Sequence, residues 1–201
     1  MSIYSYRKIS KLKFTIMKKL TYLLLFAFIA SSVFIACDDE EETVSPFHTV
    51  KLGAQDNTSI GGFYSINDKK VYTQDVAATK QETIDFLCFY EEGNDISLAS
   101  PGANITDIFT GTTSPETWTT TDTTWFYQTE LTTVQFDALT EDDELIVTSY
   151  NADEARRKAK LLTVGNIYAF KTQDAYYGLF KVTEVVPDSI GSVEFTYIIK
   201  K

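Results

Sequence analysis

The sequence predicts an α+β fold: a largely antiparallel β-sheet with two or three short helices on one side and a C-terminal three-stranded meander. Three observations predict it. From Asn166 onward, apolar and aromatic runs alternate with short polar turns, the pattern of consecutive hairpins. Ahead of them, Thr132-Thr133-Val134-Gln135 matches a helix capping box. Earlier still, Ile84 to Tyr90 is apolar apart from Asp85 and rich in aromatics, as a strand covered on both faces would be. Helices and strands are interspersed in the first half, which leaves room for a parallel strand pair around Ile84 to Tyr90.

The chain opens on an address. Lys18 and Lys19 precede an apolar run from Leu20 to Ile35, broken by Ser31-Ser32, which ends at Ala36-Cys37. A basic start, a short apolar core and a small residue before the cut describe a secretory signal peptide. Val33-Phe34-Ile35-Ala36-Cys37 resembles a bacterial lipobox, with Phe34 where leucine is usual, and the resemblance implies lipidation of Cys37. The competing reading is an uncleaved helical anchor, since about twenty apolar residues span a bilayer. Either places the rest of the chain outside the inner membrane. Residues 1–36 are thus read as signal peptide with a true start at Met17, 37–47 as lipidated cysteine and acidic tether, and 48–201 as a single α+β domain.

Charge and cysteine usage narrow the function classes. Residues 1–36 hold six Lys/Arg and no acid, so the remaining 165 residues carry 12 basic against 28 acidic side chains, a formal net charge of −16. Such a surface repels phosphate backbones, so no nucleic-acid partner is expected. With Cys37 lipidated only Cys88 remains, which excludes an internal disulfide and a cysteine metal site. Cys88 lies in the apolar run and reads as a small buried hydrophobe.

Taken in order, the tether carries Pro46 and leads to His48, the sole histidine, whose place at the tether end argues against catalysis. Gly62 to Ile66 reads as a strand, followed by a turn at Asn67 to Lys70. Thr73 reads as the N-cap of a short helix over Gln74 to Thr79. In the strand Ile84 to Tyr90, Asp85 is expected at a solvated, frayed edge, because a buried carboxylate needs a partner or a shifted pKa. Glu91 to Asp95 reads as a hairpin turn in preference to a calcium loop, whose ligand spacing it lacks. Thr106 to Thr124 reads as a long connection or edge hairpin. The capping box at Thr132 starts a helical turn carrying Phe136 and Leu139 on one side. The acids Glu141 to Glu144 suit a helix N-terminus without any metal. Asn151 to Leu162 reads as the clearest helix, capped by Asn151, acidic in its first turn and basic in its last. Three strands follow, Asn166 to Thr172, Tyr176 to Val186 and Ser192 to Lys200; in the last, Val193, Phe195, Tyr197 and Ile199 face a core while the other face is wet.

Candidate sites are few. Trp118, Trp125 and Tyr127 flank a threonine-rich loop containing Asp122, the materials of a sugar-binding platform, although core aromatics under an exposed loop fit equally well. Asp122-Thr123-Thr124 and Asp188-Ser189-Ile190 resemble the O-glycosylation acceptor of the Bacteroidota, which implies modification at Thr123 or Ser189 and requires those loops to be exposed. No catalytic residue, metal site or cofactor motif is read. Gly61-Gly62 lacks the spacing of a phosphate loop.

The acidic string Asp38 to Glu42 after the cysteine resembles the surface-export signal of Bacteroidota lipoproteins. Leu52-Gly53-Ala54-Gln55, Ile84 to Tyr90 with Ser97-Leu98-Ala99-Ser100-Pro101, and Gly165 to Thr172 with Tyr177 to Val182 resemble a group of uncharacterised surface lipoproteins of the Bacteroidota, such as those of Bacteroides. The resemblance covers most of the mature chain and brings no activity with it. It implies a lipid-anchored protein of the outer membrane facing the cell exterior, with the periplasmic face as the alternative. The function expected is a non-catalytic binding or accessory module, for glycans or an outer-membrane protein complex. The alternatives are a small carboxylate-dependent hydrolase, such as a glycosidase using two carboxylates about 5 to 10 Å apart, and an adhesion or fimbrial subunit, which would need a long donor strand.

Overall fold

A computed structural model describes residues 45–201; the signal segment and Cys37 lie outside the described residues. Ten strands form two antiparallel five-stranded sheets. The first sheet takes β1 (His48–Gly53), β10 (Ser192–Ile199), β9 (Tyr177–Val186), β8 (Ile167–Lys171) and β6 (Trp125–Gln128), in that order. The second takes β3 (Lys70–Tyr72), β2 (Phe63–Ser65), β4 (Phe86–Glu91), β5 (Asp95–Ala99) and β7 (Lys158–Ala159). The expected meander is present as β8-β9-β10, and among the described residues every strand pair is antiparallel, so no parallel pair forms around β4.

The two sheets pack face to face. The period-2 alternation of β4 shows why its sequence is unbroken: Phe86 and Cys88 enter the layer between the sheets, while Leu87 and Phe89 enter a second cluster on the outer face. Phe86 is the hub of the inner layer, with ring centroids 5.5 Å from Phe126, 5.2 Å from Phe170 and 6.0 Å from Phe195. Each fully buried side chain of this size contributes about 1.5–3 kcal/mol of transfer free energy. β4 is the central strand of its sheet, and Cys88 is buried and free.

The helices are short and lie on both outer faces rather than on one. α1 (Gln74–Ala78) sets Ala77 into the outer cluster of the second sheet. α2 (Thr133–Asp137) and α3 (Leu145–Thr148) set Phe136 and Ile146 against Ile167, Ala169, Leu179 and Ile198 on the first. The outer face of the meander is therefore dry at its centre, where a wet face is expected from β10 alone. α2 begins with the capping box in full: Thr132 Oγ1 accepts from the Gln135 amide at 3.3 Å, and the Gln135 side chain accepts from the Thr132 amide at 3.0 Å.

The helix expected over Asn151 to Leu162 does not form. Asn151 caps a single turn, its Oδ1 accepting from the Asp153 amide at 3.1 Å. The chain then extends: Arg156 exchanges two backbone hydrogen bonds with Phe126, at 2.7 and 2.8 Å, and β7 pairs with β5. A helix of this length is marginal alone, whereas the edges of β6 and β5 present unpaired amides and carbonyls that must be satisfied. One segment serves both edges and so stitches the two sheets together.

Asp85 also differs from expectation. It is 5 % exposed, and its Oδ2 accepts from the Ile66 amide at 2.8 Å. Removal from water pushes its carboxyl up to about 7, against the pull of that amide, with Asp122, Asp174 and Asp68 adding negative charge nearby. The residue stands just ahead of β4, where the backbone is already enclosed by the β2–β3 turn.

Candidate functional site

The site is built by strand register. Trp125 on β6 faces Lys171 on β8, and Lys171 faces Tyr177 on β9, so three side chains form one row across three neighbouring strands. Phe126 points the other way into the inner layer, which puts Trp125 and Tyr127 together on the outer face. Trp125 is 40 % exposed. Beyond α3, Tyr150 stands edge-on to Tyr177, with centroids 5.7 Å apart. Gln173 and Thr172 from the β8–β9 turn and Thr123 close the other end, and together these residues line an open groove of about 720 Å³. Thr123 and the turn are tied by the Thr123 amide, which donates to Gln173 Oε1 at 3.2 Å.

The groove carries one charge. Lys171 Nζ lies 5.0 Å from the centre of the Tyr177 ring, a cation–π distance, and the Tyr177 side chain holds its pKa above the ordinary lysine value. Burial pushes the Tyr150 hydroxyl up in turn, opposed by Lys171. No carboxylate is among the lining residues. The chemistry offered is thus aromatic faces, an amide, hydroxyls and one ammonium.

Of the three aromatics singled out from the sequence, the structure brings together Trp125 and, one strand pair along, Tyr127. Tyr127 lines an adjoining depression that shares Tyr150 and Ala152 with the groove. Trp118 lies elsewhere: it is 9 % exposed, its ring sits 5.7 Å from Phe63 under the second sheet, and its Nε1 donates to the Thr113 carbonyl at 2.9 Å. Thr123 is half-buried in the groove, and Ser189 is half-buried in the β9–β10 turn between exposed Asp188 and Ile190. Lys171, Tyr150, Tyr177 and Gln173 escape a reading of the sequence, because each looks like ordinary strand or turn punctuation until register sets them side by side.

The remaining perturbed carboxylates stand apart from the groove lining. Asp122 is 5 % exposed, and desolvation followed by the charges of Asp174 and Glu82 pushes it up to about 6. Its backbone carbonyl accepts from Ser100 Oγ at 2.7 Å, and Ser100 Oγ accepts from the Thr124 amide at 3.0 Å, so the loop is pinned from both sides.

Neither a family model nor a curated protein matches the chain. A solved structure is similar to it: a DUF4466 family protein from Parabacteroides merdae ATCC 43184, with a TM-score of 0.53 at 14 % identity over 79 % of this chain and 55 % of its own. The chain spans about half the length of that neighbour. At this identity the similarity is one of fold. The neighbour's source belongs to the Bacteroidota.

Proposed function

We propose that this chain is a lipid-anchored outer-membrane protein, exposed at the cell surface, that acts as a non-catalytic binding or accessory module with carbohydrate as its ligand. The observation that carries the binding half is the row Trp125–Lys171–Tyr177 edged by Tyr150. A sugar ring has an apolar C–H face that packs on aromatic rings and an equatorial belt of hydroxyls that needs directional partners. Trp125 and Tyr177 supply the first, and Gln173, Thr123 and Thr172 the second. The anchor half rests on the lipobox-like run ending at Cys37.

The hydrolase alternative finds less support, because a glycosidase needs two carboxylates facing one substrate and none lines this groove. The adhesion alternative is disfavoured by the place of β10 between β1 and β9, since a strand paired on both sides cannot be lent to a neighbour without breaking the sheet. Of the two O-glycosylation candidates, Ser189 is compatible with ligand binding, whereas a glycan on Thr123 would occupy the groove.

Calorimetric titration of the domain with a panel of oligosaccharides tests the binding half. Saturable binding that Trp125→Ala abolishes while leaving the fold intact supports it, and no binding across the panel removes it. Palmitate labelling of wild type and Cys37→Ala, with protease shaving of whole cells, tests the anchor. Label on wild type alone, with the domain shaved, is the result expected.

A further inference from the structure

Building on the carbohydrate-binding reading, we infer that the groove selects an anionic sugar, one carrying carboxylate or sulfate, through Lys171. The protein's surface is strongly acidic, and five of the ten lysines among the described residues are paired with carboxylates: Lys51 with Glu184, Lys80 with Asp68, Lys181 with Asp137, Lys200 with Glu144 and Lys201 with Glu141. Lys171 is among those without such a partner, and unlike Lys70 over Tyr72 and Lys158 over Phe89 it lines the groove. Among the described residues no carboxylate lies within ion-pair distance of it, and it lines the groove with its ammonium over the ring of Tyr177.

That arrangement has a consequence for recognition. An ammonium on an aromatic face keeps its charge and spends donors on no anion of its own, so its N–H groups stay directed at whatever enters. A neutral sugar leaves this charge without a counter-ion in the groove. A carboxylate or sulfate on the sugar ring meets it with a charge-assisted hydrogen bond, about twice as strong as a neutral one. The net negative surface around the groove repels a free anion diffusing past. Discrimination therefore comes from the combination: the aromatic row must hold the ring for the anion to reach Lys171, and an inorganic anion alone gains little.

The test is calorimetric titration of the purified domain with three tetrasaccharides: neutral cellotetraose, tetragalacturonate carrying only carboxylates, and a carrageenan tetrasaccharide carrying only sulfates. Wild type is expected to prefer at least one anionic probe over the neutral one by roughly five- to ten-fold, the preference shrinking as salt rises from about 20 to about 300 mM. In Lys171→Gln the ratio of anionic to neutral affinity falls to about one, and Lys171→Arg restores it, which a purely structural role for the lysine would not produce. The two anionic probes separate carboxylate from sulfate as the source of the preference. Equal affinity for neutral and anionic probes in wild type, or a preference that survives in Lys171→Gln, overturns the inference and leaves carbohydrate binding standing. Failure of all three probes to bind a folded wild-type domain overturns both.

Discussion

The hydroxyls of Tyr64 and Tyr197 meet at 2.9 Å in the dry layer between the two sheets. Tyr64 comes from β2 of the second sheet and Tyr197 from β10 of the first, and their rings meet edge-on with centroids 5.9 Å apart. Burial raises the pKa of both, so both stay protonated and each needs the other. Tyr197→Phe strands one buried hydroxyl and is expected to cost about 1–3 kcal/mol. Tyr64→Phe costs a similar amount, and the double variant costs distinctly less than the sum, because it leaves no orphan. Urea denaturation of the four proteins reads the coupling; additive losses would mean the pair is incidental.

Asp85 predicts a stability that depends on pH in an unusual direction for a carboxylate. Its folded pKa is about 7 against an ordinary value of 3.8, so the folded state holds a proton that the unfolded chain releases. Stability therefore falls as pH rises from about 4 to about 7 and is flat beyond, since the unfolded state binds fewer protons across that window. Asp85→Asn keeps an acceptor for the Ile66 amide and carries no charge. It is expected to be more stable than wild type at pH 8 by roughly 2–4 kcal/mol, with the gap closing by pH 4. Denaturation midpoints across that range check it, and a gap independent of pH would show that the carboxyl is solvated.

Gly178 on β9 leaves room for the ring of Phe170. A Cβ there would stand 2.2 Å from Phe170 Cζ and 2.7 Å from the Ile198 carbonyl, one a core ring and the other ladder backbone. Phe170 is held edge-on by Phe86 and cannot step aside without opening the inner layer. Gly178→Ala is therefore expected to destabilise by about 1–3 kcal/mol despite its small size. Thermal unfolding of the single variant is sufficient to measure it.

What could be read from the sequence was local, and what could not was relational. The capping box at Thr132 and Gln135 is complete within four residues, so it is visible in one dimension and present in three. The meander is legible because each strand follows the last through a short turn, and the alternation in Val193, Phe195 and Tyr197 marks a face without reference to anything else. The segment after Asn151 carries equally good local signals for a helix, yet Arg156 and Ala159 are claimed by strand edges far away in sequence. Nothing in residues 151–162 announces those edges. The burial of Asp85 is hidden from the sequence for the same reason, since it depends on the Ile66 turn closing over it. The groove is an extreme case: Trp125 stands out as a residue, but its pairing with Lys171 and Tyr177 exists only in the register of three strands.

If the groove binds carbohydrate as proposed, the two tryptophans separate stability from binding. In sequence they bracket one threonine-rich loop and look like a pair, but Trp118 is packed against Phe63 with its indole N–H satisfied by the Thr113 carbonyl, whereas Trp125 stands 40 % exposed on an edge strand. Trp118→Ala empties a filled volume beside the Phe63–Phe109 contact and is expected to cost about 3–5 kcal/mol. Trp125→Ala removes a surface ring whose cross-strand contacts contribute roughly 0.2–1 kcal/mol, so unfolding should change little while carbohydrate affinity is lost. Trp118→Phe keeps most of the packed volume and should recover much of the stability without touching the groove. Measuring unfolding and oligosaccharide binding on all three variants distinguishes the roles. A Trp118 variant that stays fully stable but loses ligand would place the binding surface on the other sheet, and a Trp125 variant that unfolds would show that the edge strand depends on its indole for register.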